Sequence, residues 1–138
     1  MYRSSLMFIL MFFAFNSTAR AAQECKVPSS PCMTECMNIG SALDASFCYR
    51  DETNKADKEL NEQYNRLMPL AKKYDAKVAD ALLNSQRAWI AYRDKKCALA
   101  RELDLDNHDF EYKDCVLWMT RVRTVELKDT ADFIENRL

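Results

Sequence analysis

One glycine among 138 residues is the feature that most restricts what this chain can become. Sheet folds built from hairpins need frequent tight turns, and such turns draw on glycine and proline. Here the whole supply is Gly40, Pro28, Pro31 and Pro69. An all-β fold is disfavoured, and the chain reads as all-α: a small antiparallel bundle of about three long helices.

The helices can be placed from caps and periodicity. Ser41 and Asp44 resemble a capping pair, so the first helix should begin there and run toward Tyr74. Leu60, Tyr64, Leu67, Ala71 and Tyr74 keep a four-three spacing along it, the pattern of a helix packed along one seam. Pro69 lies within that seam and predicts a kink between Asn65 and Pro69. Asp75 can cap a second helix over 76–103, whose inward stripe would use Val78, Leu82, Trp89 and Cys97. The acidic stretch from Asp104 to Asp109 interrupts the pattern. A third helix follows from about Phe110 to Asn136, with Cys115, Trp118, Met119, Val122, Val125 and Phe133 on its inner face. Long helices with short connections favour an antiparallel bundle.

The first residues read as an export signal. Arg3 supplies a positive start, Leu6 to Phe15 an apolar stretch, and Ala19-Arg20-Ala21 a small-x-small cleavage pattern. The apolar stretch is shorter than the roughly 20 residues a membrane span requires. The expected division is a cleaved signal over 1–21, an irregular arm with cysteines and prolines over 22–40, and a helical domain over 41–138. Removing 1–21 takes away Arg3 and Arg20 and no acid, leaving 18 basic against 21 acidic residues and a net charge of −3. That balance argues against nucleic acid as a partner and against an anionic membrane surface, both of which favour a basic patch. No stable membrane insertion is expected after cleavage. The expected location is periplasmic or secreted.

All six cysteines follow the signal, and an even number in an exported chain implies disulfides. Six cysteines allow 15 pairings. Cys97 near the end of the second helix and Cys115 near the start of the third flank one turn, so an antiparallel hairpin brings them together. Closing a loop of that size contributes roughly 3 kcal/mol. Cys36–Cys48 would tie the arm to the first helix, leaving Cys25–Cys32 as a local loop.

The segment from Gln86 to Cys97 places Leu82, Gln86, Trp89, Arg93 and Cys97 on one helix face. Together with Cys36 and Cys48, the stretch from Ala56 to Tyr64, and the stretch from Cys115 to Arg123, this pattern resembles the LprI-type lysozyme-inhibitor domain family of small exported bacterial proteins. The resemblance covers Cys36 to about Leu127, in four blocks whose order and spacing match. It implies a non-enzymatic protein that inhibits lysozyme, a muramidase, by protein–protein binding. The chain departs from the lipid-anchored member behind the family's name: it lacks a lipobox and carries the additional pair Cys25 and Cys32.

Two groups of residues stand out. Arg93 shares a stripe with Trp89 and Cys97, so its guanidinium needs acceptors, for which Asp57 and Asn61 on the first helix are candidates. Asp57, Asn61, Tyr64, Gln86, Trp89 and Arg93 are read as a structural polar network that sets helix register, with a ligand-binding face as the alternative. Asp104, Asp106, Asp109 and Glu111 form an acidic connection held by the Cys97–Cys115 bond, and they are the candidate contact with a basic enzyme. Its plainer reading is a solvated turn with helix-capping acids.

No catalytic site is expected. His108 is the single histidine, and no nucleophile elbow, phosphate loop or zinc-protease motif surrounds it. Cys32 and Cys36 have a possible zinc spacing that export assigns to disulfides, and Asp104 and Asp106 begin a calcium-loop pattern that does not continue. No cofactor or metal is expected. The competing functional reading is a periplasmic interaction or structural module whose partner is another cell-envelope protein. In that case Trp118, Met119 and the tyrosines would line a partner groove.

Overall fold

A computed structural model describes Cys36, 38–103 and 109–138. Within these residues the chain forms α1 (Ala42–Tyr74), α2 (Ala76–Leu103) and α3 (Phe110–Glu135), with no strand among them. The expected pair Cys25–Cys32 and the residues Asp104 and Asp106 lie outside the described residues.

The single glycine sits where α1 begins. Gly40 has φ +54°, and a Cβ there would stand 3.0 Å from the Asp44 carboxylate. Both facts favour a residue without a side chain. Ser41 is the N-cap: its hydroxyl oxygen accepts from the Asp44 amide at 3.3 Å, and the Asp44 carboxylate accepts from the Ser41 amide at 3.0 Å and hydroxyl at 2.7 Å. These bonds, the side-chain one foremost, hold Asp44 below the usual carboxylate range. A reciprocal cap satisfies donors that the first helical turn leaves unpaired.

Pro69 does not end α1. The helix is continuous through it, and Leu67 and Ala71 on either side are both fully buried. Asn65, whose carbonyl loses its amide donor to the proline, is exposed, as is Pro69 itself. Water can therefore serve that carbonyl while the seam stays in phase. The helix ends at Asp75, which is extended at φ −165°. The Asp75 carboxylate then accepts from the Lys77 amide at 2.7 Å, so one residue both closes α1 and caps α2.

The bundle runs up, down, up. Tyr49 meets Asp114 near the starts of α1 and α3, while Arg66 meets Asp132 near their ends, so these two helices are parallel and α2 is antiparallel to both. Their shared core contains Leu60, Leu67, Leu127, Ala131 and Ile134. A second cluster joins Cys36, Tyr49, Ala56 and Leu117, and a third joins Cys97, Val116 and Met119. Cys36–Cys48 and Cys97–Cys115 are both bonded, each with Cα atoms 5.5 Å apart.

Two seam residues differ from expectation. Tyr74 is 47% exposed because it lies in the last turn of α1, and Phe133 is 53% exposed because Ile134, one position on, is the residue that turns inward. Arg137 lies over the Phe133 ring at 3.4 Å and partly covers it.

Candidate functional site

α2 buries only Ala79, Gln86 and Cys97. It consequently leaves an open groove of about 440 Å³ against α1. Asp57, Leu60, Asn61 and Tyr64 line one wall; Leu83, Gln86, Arg87, Ile90 and Arg93 line the other. These positions recur every three or four residues on each helix, which places each set on one face.

Arg93 closes one end. Its Nη1 is 3.5 Å from Asp57 Oδ1 on α1 and donates to Thr120 Oγ1 on α3 at 3.2 Å. Thr120 is fully buried and donates its own proton to the Val116 carbonyl at 2.8 Å, leaving its oxygen to accept from Arg93. Asp94 accepts from Arg93 Nε at 3.0 Å, and the guanidinium carbon lies 5.2 Å from the Trp89 ring centre. One side chain from α2 thus reaches both other helices, and its charge is met by two carboxylates.

Gln86 is held from the far side. Arg123 of α3 donates to Gln86 Oε1 at 3.0 Å and to Ser85 Oγ at 3.2 Å, and it lies 5.9 Å from the Trp89 ring. Trp89 therefore has a guanidinium from each of α2 and α3 beside it, an arrangement that favours the ring quadrupole. Of the six residues singled out in the sequence, Asp57, Asn61, Tyr64, Gln86 and Arg93 line the groove, and Trp89 packs behind it. Asn61 is exposed and lies apart from the Arg93 bonds. Sequence reasoning missed Thr120 and Arg123 as partners, and Leu83, Arg87 and Ile90 as lining. The three- and four-residue spacing of 83, 86, 90 and 93 was a signal that could have found the α2 wall.

The acidic connection enters this picture through Asp109 and Glu111. Asp109 has φ +55°, and its carboxylate accepts from Arg101 Nε at 2.9 Å rather than capping α3. Arg101 also lies 3.8 Å from the Tyr112 ring centre. Glu111 is exposed in the first turn of α3, where a carboxylate suits the helix dipole.

A smaller hollow of about 270 Å³ lies between α1 and α3, where Tyr49, Arg50, Tyr112 and Lys113 are among its walls. Beside it Asp114 is buried, and the Tyr49 hydroxyl donates to it at 3.5 Å. Loss of hydration pushes the Asp114 carboxyl above its usual range, against the pull of Tyr49 and Arg121. Burial and the neighbouring Asp114 charge push the Tyr49 phenol up to about 12. Among the described residues no three His, Cys, Asp or Glu side chains are grouped to hold a metal. No helix of the described residues is long and apolar enough to cross a membrane.

A family profile described as "Lysozyme inhibitor LprI" matches residues 32–127, which include α1, α2 and most of α3. The chain belongs to the LprI family. The match takes in both walls of the groove and both observed disulfides. Among curated relatives, the chain is similar to "Uncharacterized protein R02472" of Rhizobium meliloti (strain 1021), with 31% identity over 127 aligned positions that cover 81% of this chain and 91% of the relative. It is also similar to "Uncharacterized protein YecT" of Escherichia coli (strain K12), with 31% identity over 112 positions, 66% of this chain and 67% of the relative. No solved structure matches the chain. LprI membership links the chain to a family named for inhibition of an enzyme rather than for catalysis.

Proposed function

We propose that this protein is exported and inhibits a muramidase by binding it, with no chemistry of its own. The observation that carries this reading is the LprI match over 32–127. The signal-like segment 1–21 supports export to the periplasm or beyond, where such an enzyme would be met. The acidic end of the bundle is the proposed contact: Asp109 and Glu111 at the start of α3, with Asp104 and Asp106 in the adjoining segment. Arg101 takes up part of the Asp109 charge, whereas Glu111 is exposed in the first turn of α3. A carboxylate cluster would speed encounter with a basic enzyme and lose effect as salt rises.

The test is a titration of the folded, disulfide-bonded protein against a chicken-type lysozyme in a cell-wall turbidity assay, with a charge-matched inert protein as control. Saturable inhibition near stoichiometric ratios is expected. Replacing Asp104, Asp106, Asp109 and Glu111 together by their amides should abolish it while leaving the melting temperature close to that of the parent. Inhibition that survives those substitutions would remove the acidic end as the contact. No inhibition at high excess would favour the envelope-module reading, for which cross-linking should recover an endogenous protein.

A further inference from the structure

We propose that the α1–α2 groove binds a short, extended peptide carrying a carboxylate beside an aliphatic side chain. This inference is independent of muramidase inhibition and concerns a surface away from the acidic end. Tyr64 lies seven positions beyond Asp57 on α1, so the groove is roughly 10 Å long at 1.5 Å per residue. Three extended residues span about that distance.

Each part of the groove asks for a different part of such a ligand. Its floor is aliphatic, with Leu60 buried and Ile90 still 41% exposed, which leaves apolar surface for a side chain to cover. Arg87 is exposed and makes no ion pair among the described residues, whereas the Arg93 charge is already met by Asp57 and Asp94. A ligand carboxylate near Arg87 would supply the missing counter-charge.

Gln86 supplies the second polar contact. It is only 8% exposed, and its oxygen accepts from Arg123. Turning the amide over would set two donors against each other, so the amino group must occupy the opposite position. That amino group has no acceptor within the described residues, and a peptide carbonyl is the matching acceptor. At the other end the half-exposed Asp57 carboxylate can accept a peptide N–H. A neutral sugar would leave Arg87 without a counter-charge.

The test is nuclear magnetic resonance of the folded, disulfide-bonded, nitrogen-15-labelled protein. The probes are acetyl-Ala-Leu-Glu-amide, acetyl-Ala-Leu-Gln-amide and chitotriose. The glutamate peptide should shift the Gln86 side-chain amide and the backbone amides of Asn61, Arg87 and Ile90, saturating near ~1 mM. The glutamine peptide should bind at least ~5-fold more weakly, and Arg87→Gln should erase that preference without moving the melting temperature. Equal binding of the two peptides, no shift at those residues by ~10 mM, or a response to chitotriose alone would overturn the proposal.

Discussion

The seam between α1 and α3 and the groove between α1 and α2 are built from the same helix, yet one is closed and the other open. Along the seam, Leu67, Leu127 and Ala131 are fully or almost fully buried, and Glu52–Arg121 and Arg66–Asp132 tie the rims at 2.6 and 2.8 Å. Across the groove, among the described residues, the helix-to-helix ion pair is Arg93–Asp57 at 3.5 Å, and Ile90 remains exposed. The difference follows from connectivity. α1 and α2 are joined through Asp75 alone, so their association costs little chain entropy. α1 and α3 are far apart in sequence and need side-chain adhesion to meet. A covalently enforced neighbour can leave surface free for binding.

The largest test of this contrast is a matched pair of truncations. Leu67→Ala in the seam should cost about 2–5 kcal/mol in urea unfolding. Ile90→Ala in the groove should cost less than about 1 kcal/mol, because half-exposed aliphatic surface gives up little burial. Equal losses would erase the distinction.

Replacing Cys97 and Cys115 together by alanine should cost roughly 3 kcal/mol in thermal unfolding, from the loop that the bond closes. The loss should fall on the attachment of α2 to α3. If peptide binding in the groove weakens as much as stability, the two helices are less independent than their packing suggests.

Asp114→Asn sharpens the seam side through pH. Burial raises the folded pKa of Asp114. The folded state therefore holds the proton more tightly than the unfolded chain, and stability declines as pH rises from the unfolded value of about 3.9 through the folded one. Asparagine keeps an acceptor for Tyr49 without a charge. The variant should be more stable than the parent at pH 7 by roughly 1 kcal/mol, and the gap should close at pH ~3. A gap that persists in acid would assign the gain to something other than the buried charge. Asp132 works in the opposite sense: Lys128 first and then Arg66 hold its carboxyl low, so its contribution is present above the usual carboxylate range and is lost as pH falls through the lowered value.

The smallest effect belongs to the groove. Asp57→Asn should change stability by under about 0.5 kcal/mol, since the Asp57 carboxylate is half exposed and Arg93 keeps Asp94 and Thr120.

Helix ends were legible because their signals are local. Ser41 with Asp44, and Asp75 beyond Tyr74, act through atoms three residues away or fewer, and the observed caps use them. The Cys97–Cys115 bond was legible because it needs only a hairpin. The groove was not. Whether Gln86 and Arg93 are satisfied depends on Arg123 and Thr120, which come from a third helix whose rotation no local pattern reports. The same rotation moved Phe133 outward and Ile134 inward, a shift of one position that periodicity alone does not resolve. Asp57, Asn61, Tyr64, Gln86 and Arg93 were found as a set, but their common role as lining emerged only from the packing of α2.

The one-residue connection at Asp75 also separates the order of folding from the source of stability. Contacts within the α1–α2 hairpin start close in sequence and can form early, whereas Tyr49–Asp114 and Glu52–Arg121 join residues 65 and 69 positions apart. A nascent chain that ends at Leu103 would contain the fast part and lack the adhesive part. The bundle becomes durable only when its last helix arrives, because the ties across the seam wait for α3.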